Sequence, residues 1–132
     1  MEAIAVVTIL SLMQFYFFGL QVGQMRAKHG IKAPATTGHP EFERMFRVQQ
    51  NTLEQLIMFV PALWIFAYFS KPLVGAAIGM VFIISRYLFK RGYVAEAGKR
   101  SLGFSIGAVC TAVLLLGGLI HAGHDSYVRY LQ

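Results

Sequence analysis

Four apolar stretches dominate the chain: Ala3 to Val22, Leu56 to Phe69, Pro72 to about Phe89, and Ser101 to Ile120. Lipid offers no hydrogen bonds to a bare backbone, so a stretch of this kind is expected to be helical rather than extended. These stretches explain a composition that is 56% hydrophobic and 14% charged, with a mean hydropathy of +0.55, far toward the membrane end of the range. The expected fold is therefore all-α, a single transmembrane domain over residues 1–132 forming a four-helix membrane bundle. Its helices are placed at about 3–25, 42–70, 72–93 and 101–124.

The second stretch carries the functional signal. Leu56 to Phe69 alone falls short of the roughly 20 helical residues that cross a hydrocarbon core about 30 Å thick. The crossing helix must therefore take the adjoining block Gln49-Gln50-Asn51-Thr52-Leu53-Glu54-Gln55 into the membrane with it. A carboxylate at that depth is costly unless a partner or ligand meets it, which marks the block as a candidate site. At about 100° per residue, Arg47, Gln50, Asn51 and Glu54 share one helix face, and Gln49 points almost the opposite way. Two polar faces need two polar neighbourhoods. Glu54 is expected to look into its own bundle and Gln49 toward a second subunit, giving an oligomer with sites between chains.

Basic residues set the orientation. Ten of the 12 Lys and Arg residues lie in the first connection (Arg26, Lys28, Lys32, Arg44, Arg47) or the third (Arg86, Lys90, Arg91, Lys99, Arg100). The positive-inside rule places both connections in the cytoplasm and both termini on the opposite side, so the polar block begins near the cytoplasmic face. Lys28, Lys32 and Lys90 suit lipid headgroups. Nucleic acid is excluded as a partner for basic residues tied to membrane ends. Arg86 and Tyr93, seven apart, both face the bundle, and Arg100 at the start of the fourth helix faces either headgroups or a site.

Other features are structural. The first stretch lacks a basic leading region and an obvious cleavage site, so it reads as a retained helix. Residues about 28–40, rich in Gly, Pro and Thr, suit a loop. Ser70-Lys71 before Pro72 suits a tight hairpin. Gly75 and Gly79, and Gly103 and Gly107, have the small-xxx-small spacing that permits close helix approach. Cys110, the single cysteine, reads as a small buried hydrophobe. His121, His124 and Asp125 form a short group at the far end, and no metal is expected there.

The run Phe42-Glu43-Arg44-Met45-Phe46-Arg47-Val48-Gln49-Gln50-Asn51-Thr52-Leu53-Glu54, with Ala62-Leu63-Trp64, Arg86, Arg91-Gly92-Tyr93 and Lys99-Arg100, resembles the membrane-associated proteins in eicosanoid and glutathione metabolism. It is nearer to their microsomal glutathione transferase and leukotriene C4 synthase branch. The resemblance implies a homotrimer of four-helix subunits that binds glutathione between neighbours. It implies that Arg47, Asn51, Glu54, Tyr93 and Arg100 line the site from one subunit, while Arg26 and Gln49 come from the next; Arg86 joins the candidate glutathione-binding set. Arg100 resembles the arginine that stabilises the thiolate.

The implied activity is conjugation of glutathione, as co-substrate, to hydrophobic electrophiles arriving from the bilayer, with glutathione-dependent reduction of lipid hydroperoxides as a related reaction. Phe89 and Gln55 stand where leukotriene C4 synthase has tyrosines, which argues against leukotriene synthesis itself. The competing class is a non-catalytic lipid-presenting protein like the 5-lipoxygenase-activating protein, which has no need of a thiolate-stabilising cation such as Arg100. A transporter would need a polar path at every depth, which the third and fourth stretches do not supply.

Overall fold

The computed structural model describes residues 1–132. Helix α1 spans Glu2–His29, α2 Pro40–Phe69, α3 Pro72–Ala95 and α4 Ser101–Leu131, with one 3-10 turn at Ala97–Arg100 joining α3 to α4. All four helices are long and apolar enough to cross a membrane. Pro40 and Pro72 each open a helix, where a missing N–H leaves nothing unsatisfied. His39 caps α2, its Nδ1 accepting the Glu41 N–H at 3.1 Å. The Ser70-Lys71 hairpin is as expected, and α2 continues unbroken through Pro61.

Helix ends differ from the expectation. Helix α1 runs on to His29 and α4 to Leu131, and the first loop shrinks accordingly. Hydropathy marks where the hydrocarbon stops, whereas a helix stops only where its backbone is interrupted. Past residue 124 no proline intervenes, so α4 continues beyond the apolar stretch.

The core lies in two tiers. Ile4, Val7, Phe59, Leu63, Phe82 and Leu114 fill the larger, with the Phe59 and Phe82 rings stacked at 3.8 Å. Phe18, Val22, Phe42, Met45, Val48 and Phe89 fill the smaller, toward the end that carries the 30–39 loop and the 97–100 turn. Outward-facing Ile57, Leu73 and Leu119 are 67%, 77% and 70% exposed. A belt of such residues is stable only against an apolar solvent.

Two glycines let α3, α4 and the turn close up. A side chain at Gly103 would collide with the backbone of Phe89 and Ser85. One at Gly92 would collide with the Lys99 carbonyl. The expected close approach through Gly103 is thus present, and it sets the wall of the site described next.

Candidate functional site

Helix α2 supplies one wall. Its buried seam runs through Phe42, Met45, Val48, Thr52, Leu56 and Phe59. Asn51 stands beside that seam, whereas Glu54 lies about 200° round the helix from Thr52. Glu54 therefore does not look into its own bundle, contrary to the expectation. It is 54% exposed on the protomer surface, facing Arg47, 55% exposed, with Oε1 3.7 Å from Arg47 Nη1. Gln49 does point the other way and rests against the bare backbone of Gly19 in α1.

Helix α3 supplies Phe89 and Tyr93, and the 97–100 turn and α4 supply Arg100, Ser101, Phe104 and Ser105. With Arg47 and Asn51 they line a cavity of about 470 Å³. The Arg100 guanidinium lies 5.6 Å from the Tyr93 ring centre, and its Nη1 donates to the Ala97 carbonyl at 3.0 Å. Arg100 also stands at the N-terminal end of α4, the positive end of the helix dipole, without a side-chain capping bond. Ser101 and Ser105, one turn apart on the first turns of α4, were missed by sequence reasoning. Their i,i+4 spacing beside Arg100 was the available signal.

Arg86 takes a different place from the one expected. It is 1% exposed and does not line the cavity. Its Nη2 donates to Asn51 Oδ1 at 2.7 Å and to Thr52 Oγ1 at 3.0 Å, and its guanidinium lies 4.3 Å from the Phe89 ring centre. Thr52 passes its own proton to the Val48 carbonyl at 2.8 Å. With Asn51 Oδ1 engaged from behind, the amide NH2 is the end turned to the cavity, so Asn51 faces a ligand as a donor. Arg86 has no carboxylate partner, and its Nε is buried without an acceptor.

Arg26 is also outside the cavity. Its Nη1 donates to the Ala35 carbonyl at 2.7 Å, and its guanidinium sits 4.7 Å from the Phe42 ring centre. Gln55, too, is absent from the lining, while Phe89 presents a ring with no hydroxyl.

Two groups of potential metal ligands occur, at the far end of α4 and beside the first loop. His124 meets Asp125 at 3.4 Å on an exposed surface, and His121 packs edge-on to Phe66. His29, His39 and Glu41, a group the sequence reading missed, bring ligand atoms within 4.8 Å of one another. There the two imidazoles are stacked at 3.6 Å and 12°, so their lone pairs lie in nearly parallel planes, and Lys28 pairs with Glu41 at 3.0 Å.

The candidate site is thus an open cationic cavity at one end of a four-helix membrane bundle, with Arg47 and Asn51 of α2 on one wall and Glu54 outside its lining. The chain matches the family model of the MAPEG family over residues 4–120. It belongs to the MAPEG family. With its four long apolar helices, it is an integral, multi-pass membrane protein. This MAPEG chain is 38% identical over 129 residues to human microsomal glutathione S-transferase 2, covering 98% of this chain and 88% of that one. It is 32% identical over 122 residues to rat leukotriene C4 synthase, covering 89% and 81% respectively. It is also 43% identical over 116 residues to an uncharacterized protein of Synechocystis, covering 88% and 85%.

Proposed function

We propose that this MAPEG protein is a membrane-bound glutathione transferase that conjugates glutathione to hydrophobic electrophiles. The observation that carries the reading is the single cavity shared by Arg47, Asn51, Tyr93 and Arg100. Glutathione brings two carboxylates, an ammonium group and a thiol. Guanidinium groups match carboxylates in charge and planar geometry, and the Asn51 NH2 adds a neutral donor. Glu54, loosely paired to Arg47 at 3.7 Å, accepts the ammonium group when the ligand arrives.

Arg26 and Gln49 lie away from this cavity, against the 30–39 loop and α1. In the proposed homotrimer they complete the neighbouring protomer's site. The positive-inside rule puts that site near the cytoplasmic face and both termini on the opposite side.

Arg100 is the catalytic residue in this reading. A free thiol with a pKa near 8.5 is only a few per cent ionised at pH 7, and an adjacent guanidinium with a helix N-terminus favours the anion. The proton leaves to solvent through the open side of the cavity. The thiolate then attacks an electrophilic carbon of a substrate that enters from the bilayer past Phe104; the carbon–sulfur bond forms as the bond to the leaving group breaks and that group departs with its electron pair, or, in an addition, as the π pair shifts to the neighbouring atom and is protonated from water. Peroxide reduction is proposed as a second activity: the same thiolate attacks the terminal oxygen of a lipid hydroperoxide, the O–O bond breaks and the lipid alkoxide leaves and takes a proton from water, and the glutathione sulfenic acid so formed condenses with a second glutathione to give the disulfide and water.

Ultraviolet difference spectroscopy of the purified protein with glutathione tests the proposal. A thiolate band that disappears in Arg100→Ala supports it. Glutathione binding with no such band in the wild type would favour a presenter and overturn the enzyme reading.

A further inference from the structure

Away from the cavity, α1 and α3 flank a groove that opens outward between Leu10, Met13 and Phe17 on one side and Tyr87 on the other, with a volume of about 350 Å³. Gln14 bridges the two helices along it, donating to the Ile83 carbonyl at 2.9 Å. Toward the 30–39 loop the groove meets a smaller recess of about 110 Å³, and Gln21 and Lys90 line both. Leu10 to Gln21 rises about 16 Å along α1. That is roughly half of a 30 Å hydrocarbon core, the depth of a single leaflet.

The polar junction has unmet requirements. Lys90 is half-buried and forms no ion pair. Glu41, the carboxylate in the recess, is engaged by Lys28 at 3.0 Å and by His29 at 3.2 Å. Gln21 Oε1 is buried with no donor. Gln21 Oε1 is sealed from the groove, so the junction asks for an anionic oxygen beside Lys90, at the top of an apolar slot one leaflet deep.

We infer that this groove holds one anionic phospholipid per protomer, of which phosphatidylglycerol is the simplest probe. The phosphodiester pairs with Lys90, and one acyl chain lies along Leu10, Met13 and Phe17. A choline phospholipid lacks the net negative charge. The site is separate from the glutathione cavity and does not depend on the transferase reading.

The test is native mass spectrometry of the full-length protein in detergent, equilibrated with an equimolar mixture of phosphatidylglycerol and phosphatidylcholine. Wild type is expected to retain phosphatidylglycerol preferentially. Lys90→Gln should reduce that preference roughly fivefold, the share of one basic residue near a lipid phosphate. Lys90→Arg should keep it, as should Lys32→Gln in the exposed loop. Met13→Trp, which fills the slot without changing charge, should lower retention of both lipids. An unchanged preference in Lys90→Gln would overturn the assignment. So would an equal loss in Lys32→Gln, which signals diffuse surface attraction, or no retained lipid in the wild type, which signals that another copy of the chain covers the groove.

Discussion

Replacing Arg86 with methionine separates stability from ligand binding. Two hydrogen bonds from a charged donor disappear, at 2.7 Å to Asn51 and 3.0 Å to Thr52. Each is worth roughly 1.5–3 kcal/mol. Burying a guanidinium with no carboxylate partner costs several kcal/mol, and the substitution removes that cost as well. The two nearly cancel, so the folded protein is expected to change by no more than about 2 kcal/mol. Glutathione affinity has no such compensation. Without Arg86 the Asn51 amide is free to turn its oxygen toward an anionic ligand, and the loss of one donor to a charged group amounts to roughly 1.5–3 kcal/mol, or about 10- to 150-fold in Kd. Isothermal titration with glutathione and thermal unfolding without it read the two effects independently. Asn51→Asp is the companion variant: it keeps a partner for Arg86 but presents an oxygen to the cavity, and it should lose affinity at least as strongly. A folded Arg86→Met protein that binds glutathione as the wild type does would refute the orienting role.

Three further outcomes are expected. Arg100→Ala should lower kcat with a hydrophobic electrophile by roughly 100-fold or more, while glutathione affinity falls much less; steady-state kinetics with both substrates varied separates these, and equal turnover would remove the proposed catalyst. Glu54→Ala should weaken glutathione binding by roughly 10-fold or more through loss of the ammonium acceptor. Its exposed pair with Arg47 contributes at most about 1 kcal/mol to folding, so the melting temperature should scarcely move, and a large drop would show a structural role instead. Gly103→Leu should destabilise the protein by roughly 1–3 kcal/mol or more, because the side chain would meet the Phe89 and Ser85 backbones; unfolding at an unaltered temperature would contradict the close approach of α3 and α4.

Much of the bundle was legible because a membrane leaves a backbone few choices. Apolar stretches of spanning length become helices, and the polar block on α2, marked by its cost in lipid, contributes Asn51 to the candidate cavity. Helical periodicity also anticipated that Asn51 and Gln49 face apart. The placement of Glu54 failed at the next step. A polar stripe implies a polar neighbour but does not say whether that neighbour lies inside the protomer or outside it, and the apolar seam through Thr52 and Leu56 already occupied the inner face.

By itself, the order of residues determined the number, sequence and type of the helices, the presence of one polar face on α2, and the membrane as the surrounding solvent, since each follows from local pattern and the absence of water. Only the tertiary structure decided which stripe residues reach the cavity. Arg86 and Tyr93 lie seven apart on one face of α3, yet the first is sealed behind Asn51 and Phe89 while the second borders open space. Periodicity fixes the direction of a side chain but not what stands opposite it. That is set by how closely neighbouring helices approach, here at Gly92 and Gly103, and by the turn that carries Arg100, Ser101 and Ser105 onto the cavity wall.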